Sequence, residues 1–172
     1  MGVYFAAIIL VGAIGYSLNF GAAGKELSNH VIEKIIFREL EKSPDDPILY
    51  QTLGDIYYNA KNYHGVQQAY EKSLRLNPDN PHVLNNLAWL YATCDDLSYR
   101  NSTRALKLSK KAVALLNAPH TLDTLAESYF VNGKYEKAIA TELRALEQVK
   151  TNRSHYKNQL DKFTKAAKKA VR

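Results

Sequence analysis

Tyr50-Gln-Thr-Leu-Gly-Asp-Ile-Tyr57, followed by Asn77-Pro-Asp-Asn-Pro81, sets the frame in which this chain is read. The second motif nearly repeats Ser43-Pro-Asp-Asp-Pro47, so Pro44 and Pro78, and likewise Pro47 and Pro81, stand 34 residues apart. Leu53 and Leu87 keep that interval, as do Tyr57 and Tyr91, and Gly54 is matched by Ala88. A third copy follows at Pro119, Leu125, Ala126 and Tyr129. Self-similarity at such an interval means a stack of like helical units, each burying one face against its neighbours. Asp46 and Asn80 suit the N-cap position, and Pro47 and Pro81 the first helical position, where no amide donor is missed.

Aligned in full, the first copy gives Tyr50, Leu53, Gly54, Tyr57, Val66, Tyr70, Ser73 and Pro78. The second gives Leu84, Leu87, Ala88, Tyr91, Ala105, Ser109 and Ala112, and the third Leu122, Leu125, Ala126, Tyr129, Ala138, Glu142 and Ala145. These positions resemble the tetratricopeptide repeat, with its aromatic, Leu-Gly, Tyr, small residue, second aromatic, small residue and Pro. The later copies depart at the second aromatic, where Ser109 and Glu142 stand, and lack the closing Pro. The resemblance implies an all-α solenoid of three hairpins, 47–80, 81–118 and 119–150. Small residues at Gly54, Ala88 and Ala126 would let the two helices of a hairpin approach, and those at Ser73, Ala112 and Ala145 would admit the next hairpin.

The second copy is about five residues too long between Thr93 and Arg104, which predicts a longer loop within that hairpin. Upstream, Val31, Ile32, Ile35, Ile36 and Leu40 have helical spacing and predict a half-repeat over 26–46 that caps the start of the array. Downstream, Tyr156, Leu160, Phe163 and Ala167 step by three or four residues and predict a capping helix within 151–172. Terminal repeats need such covers because a bare end exposes core.

Residues 2–24 carry no charge. As a helix they would reach about 34 Å, enough for a hydrocarbon core of about 30 Å, so residues 1–25 are expected to form a transmembrane anchor. A cleaved signal peptide is the competing reading, although the segment has no basic residue ahead of its apolar run. Gly12, Gly15 and Gly21 would let the span pack closely on another membrane helix. Leu27 and Ile32 could staple a helix start capped by Ser28, which would hold the array close to the membrane. Lys25, Lys34, Arg38 and Lys42 follow the span and favour a cytoplasmic domain. The resemblance to anchored bacterial repeat proteins instead implies a single-pass protein of the bacterial inner membrane with a periplasmic domain.

The net charge of +6 is uneven: from Lys150 onward there are eight basic residues and one acid, Asp161. Lys157, Lys162, Lys165, Lys168, Lys169 and Arg172 form a basic patch, read either as a solvated helix face or as a surface for anionic lipid or an acidic partner. Nucleic acid is disfavoured because no base-stacking module accompanies the charge. A single cysteine, Cys94, allows no internal disulfide. The five histidines are scattered, and no metal, haem, phosphate-loop or nucleophile-elbow motif occurs in the sequence. Neither a cofactor nor a catalytic activity is expected.

The resemblance also implies a concave groove lined by the first helix of each hairpin. Carried over by position, the groove residues are Gln51, Asp55, Tyr58 and Asn59; then His82, Asn85, Asn86 and Trp89; then His120, Asp123, Glu127 and Phe130. Asp55 and Thr124 stand where a carboxylate clamp needs Asn and Arg, so acidic chaperone tails do not fit. Three function classes follow. The first is a protein-interaction scaffold, accessory subunit or assembly factor of a membrane complex, an energy-converting one among the candidates, with membrane-embedded protein partners. The second is a client-binding chaperone such as those of cytochrome c maturation. The third binds anionic lipid or nucleic acid through the basic helix.

Overall fold

The structure is a computed structural model that describes residues 22–151 and 153–170, with side chains from His30 onward. Among the described residues eight α-helices occur: α1 (Ala22–Lys42), α2 (Pro47–Asn59), α3 (Tyr63–Leu76), α4 (Pro81–Thr93), α5 (Ser102–Leu115), α6 (Pro119–Phe130), α7 (Tyr135–Gln148) and α8 (Arg153–Ala170). They fall into two compact units that divide between Leu76 and Asn77. The expected anchor lies outside the described residues over 1–21, and with it Gly12, Gly15 and Gly21. No helix among the described residues is long and apolar enough to cross a membrane.

The first unit is α1 laid on the α2–α3 hairpin. Ile36 is sealed among Leu53, Ile56 and Ala69, flanked by Ile32, Leu40, Leu49 and Tyr57. The Tyr57 hydroxyl donates to Glu33 at 2.8 Å. Burial, then that carboxylate, push the phenol up to about 12. The half-repeat therefore covers the hairpin through both apolar and polar contacts. Its start differs from the sequence reading. The helix begins by Ala22 and runs through Ser28, so Ser28 lies inside it and is no cap. Ala22, Ala23, Lys25, Glu26 and Leu27 are good helix formers, and together they outweigh the capping preference of one serine.

Local chemistry fixes the hairpin ends. Asp46 accepts the Ile48 amide at 2.8 Å, and Asn80 accepts those of His82 and Val83 at 3.1 and 3.2 Å. At the third start Ala118 offers no side chain, and Thr121 reaches back instead: its Oγ1 accepts the Ala118 amide at 3.1 Å. Within the first hairpin Gly54 faces the ring of Tyr70, where any Cβ would overlap ring carbons. In the other two hairpins Ala88 and Ala126 replace the glycine while Ser109 and Glu142 replace the tyrosine, so a methyl is gained where a ring is lost. Ser73 donates to the Pro47 carbonyl at 2.8 Å. It thus ties the two helices of its own hairpin, a contact the sequence reading did not assign to it.

The extra residues of the second copy form the Cys94–Asn101 connection, which carries a 3-10 turn, Leu97–Tyr99. Arg100 Nε donates to the Cys94 carbonyl at 2.7 Å, and Asn101 caps α5 through the Arg104 amide at 2.9 Å. The turn ending α2 has Lys61 at φ 55°, and the matching turn after α6 has Gly133 at φ 71°. Left-handed backbone is costly for any residue with a Cβ. Gly133→Ala is therefore expected to lose about 1 kcal/mol in a denaturant titration, although nothing lies within 4 Å of the added methyl.

Candidate functional site

α2 carries Gln51 and Asp55 half-buried and Tyr58 and Asn59 exposed. Asp55 is also structural: its Oδ1 accepts the Tyr70 hydroxyl at 2.5 Å, which ties α2 to α3. In the second unit, α4 contributes exposed His82, buried Asn85, and half-buried Asn86 and Trp89. The Asn85 Nδ2 donates weakly to Asn86 at 3.4 Å, while its Oδ1 is buried with no donor. A buried carbonyl oxygen left unpaired costs about 1–3 kcal/mol.

The first turns of α4 and α6 come together through His82 and His120. Their rings stack with centroids 6.1 Å apart and planes 5° from parallel. Burial, then the charge on His82, hold the His120 imidazole below its usual range. Among the described residues no group of three or more His, Cys, Asp or Glu is arranged to hold a metal ion.

Of the remaining groove residues of the third hairpin, Asp123 and Glu127 are closed and Phe130 is half-buried. Asp123 and Glu127 are buried beneath α8, a correction to their reading as groove-lining charges. His155 Nε2 stands 2.9 Å from Asp123 Oδ2, Gln159 Nε2 donates to both carboxylates at 3.4 and 3.2 Å, and Lys162 Nζ donates to Glu127 at 2.5 Å. The Phe130 ring packs on Phe163 with centroids 5.0 Å apart, and the Lys162 ammonium lies 4.9 Å over the Phe130 ring. The cause is the fourth-residue spacing of His155, Gln159 and Phe163, which aims one face of α8 at α6 and α7. Tyr156 and Phe163 seal this seam against Leu122, Ala126, Ala138 and Ala145.

The basic patch is correspondingly smaller than its count of lysines. Lys162 belongs to the seam, and Lys165 pairs with Asp161 at 2.6 Å. Lys157, Lys168 and Lys169 are exposed, and Arg172 lies outside the described residues.

Behind Asp123 and Glu127 sits Glu142 of α7, fully buried, which the sequence reading did not place in any site. Burial, then the Asp123 carboxylate, push its carboxyl up to about 8. The one signal available in the sequence was its place in the repeat, a carboxyl where Tyr70 stands in the first copy.

Comparison with known proteins agrees with this architecture. Two family profiles, each described as tetratricopeptide repeat, match residues 47–80 and 69–118. A search of curated proteins finds no match. Among solved structures, the first such domain of human RPAP3 is 24% identical, with a TM-score of 0.62 over 73% of this chain and 95% of that one. The first domain of Spaghetti (RPAP3), bound to the HSP90 peptide SRMEEVD, is likewise 24% identical, with a TM-score of 0.61 over 70% and 92%. PilW, a widely conserved type IV pilus biogenesis factor, is 16% identical, with a TM-score of 0.68 over 99% and 79%. At these identities the likeness speaks for the fold. The two profiles identify tetratricopeptide repeats over residues 47–118, on the first two hairpins of the structure.

Proposed function

We propose that this chain is a non-catalytic protein-interaction scaffold that serves a membrane protein complex as accessory subunit or assembly factor. The observation that carries the reading is the face of α4. There the buried Asn85 carbonyl oxygen without a donor stands on the same helix as half-buried Trp89 and exposed His82. The half-buried Asn86 amide, beside the half-buried Trp89 indole that can take an apolar side chain, is chemistry for a peptide segment. That a similarly folded domain, Spaghetti, holds an HSP90 peptide supports peptide binding in general. Asp55 and Thr124 at the clamp positions argue against that acidic ligand here.

The membrane half of the proposal rests on the uncharged stretch 2–24 and its glycines. A periplasmic domain facing a membrane-embedded subunit is the arrangement this reading favours. Binding should depend on α4. In a pull-down from solubilised membranes, Trp89→Ala is expected to weaken capture of the native partner by tenfold or more, as for an aromatic worth at least about 1.4 kcal/mol. Unchanged capture would remove α4 from the site.

A further inference from the structure

In the first hairpin the Tyr70 phenol donates to Asp55. Two repeats later the same two positions are Glu142 and Glu127, so a neutral donor has been exchanged for a carboxyl. Glu142 is 0% exposed, and neither of its oxygens meets a hydrogen-bond donor. From α6 it faces Asp123 and Glu127, and from α8 Lys162. Tyr156 of α8 also lies within range of both Asp123 and Glu142, and burial first, then these two carboxylates, push its phenol up. His155 is turned to Asp123, and the Lys162 ammonium is held by Glu127. α5, which packs on α6, turns its cations elsewhere: Lys110 lies over the Tyr129 ring and Lys111 pairs with Asp79.

Three carboxyl groups thus share one buried joint with a single ammonium. Carboxylate oxygens only accept, so none of the three can bond to another unless one carries a proton. Two ionised carboxylates repel in so buried a site, which favours keeping a proton on one of them.

We propose that a proton on Glu142 is a structural part of this joint, and that its loss at alkaline pH releases α8 from the third hairpin and uncovers Asp123, Glu127 and Phe130. The direction follows from linkage. In the unfolded state Glu142 behaves as an ordinary glutamate near 4.5, and with α8 undocked water reaches the group and its carboxyl moves toward that value, whereas in the docked state burial first, then Asp123, hold the proton up to about 8. Between those values the docked form binds the proton and the open form does not, so rising pH weakens docking through that window. Above it both forms are ionised and no further change is due to this group. The released face is acidic and aromatic, and α8 itself shows what fits there: a helix presenting His, Gln, Lys and Phe along one side.

Amide hydrogen exchange read by mass spectrometry, corrected for the intrinsic pH dependence of exchange, tests the latch. Protection of peptides from 153–170 is expected to fall about tenfold between pH 7 and pH 9, while that of peptides from 47–76 stays constant. In Glu142→Gln the neutral amide retains a donor, and the fall should disappear. Protection of α8 that is flat with pH in the wild type would overturn the proposal, as would an equal fall in the variant. Should Glu142→Gln not fold, the carboxyl carbon of Glu142 in the wild-type chain can be followed by NMR. A midpoint well above the glutamate range supports the latch, and one near 4.5 overturns it.

Discussion

Phe163→Ala is expected to cost about 3–5 kcal/mol, the range for removing a sealed aromatic side chain. Phe163 is 0% exposed and seals the α8 seam among Ala126 and Ala138, with Tyr129, Phe130 and Ile139 around it. Small residues line the opposing wall, so little can move in to refill the space, which places the effect at the upper part of that range. The same substitution removes the ring against which Phe130 packs and one of the two rings beneath the Lys162 ammonium. The loss should therefore appear twice: as a lower midpoint in chemical denaturation, and as α8 amides exchanging far faster than those of α4 and α5. A variant that loses less than about 1 kcal/mol would show that α8 is a loosely held tail and not part of the core.

The second large effect lies in the first hairpin. Tyr70 is 1% exposed, and Tyr70→Ser is expected to lose about 3–5 kcal/mol through the cavity left by the ring, together with its bond to Asp55. Gly54→Ala alone should also destabilise, by about 1–2 kcal/mol, because its methyl overlaps the ring and the overlap exceeds the gain in helix propensity. Combined, the two changes recreate the Ala88–Ser109 pairing of the second hairpin. The double variant should be more stable than Tyr70→Ser by roughly 1 kcal/mol or more, since the methyl then fills space and alanine favours the helix. Additive losses in the double-mutant cycle would refute the view that each hairpin trades glycine against ring.

These two positions also show what the sequence made legible. The repeat interval placed Gly54, Tyr70 and their counterparts on facing helices, because the interval is a property of backbone stacking and survives side-chain exchange. Asp46 and Asn80 were readable as caps because they act on amides two or three residues away. The cap of α6 was not, because Thr121 does from within the helix what a preceding residue does elsewhere. The start of α1 was misplaced because the preference of one serine was set above the summed propensity of its neighbours.

The candidate site divides along the same line. His82, Asn85, Asn86 and Trp89 were carried over by position from the resemblance, and the structure places all four on α4, with Asn85 buried. Asp123, Glu127 and Phe130 were placed correctly along α6 but not in their surroundings. What covers them is decided by His155, Gln159, Lys162 and Phe163, more than 30 residues on, and no periodic pattern states which face of a terminal helix meets which carboxylate. The clue was electrostatic: a basic helix and an acidic face in one short chain are a pair before they are separate binding surfaces. Glu142 was visible only as a departure from the repeat, and its meaning depended on the two carboxylates beside it.

The proposed scaffold works by holding another protein. The most direct measurement of that role is the native mass of the full chain extracted from its source cells in mild detergent, for wild type and for Trp89→Ala. The expected result is a complex well above the 19.4 kDa of the chain, with a defined second protein that is lost or depleted in the variant. A wild-type chain that runs alone, or a complex whose composition is the same in both, would contradict it.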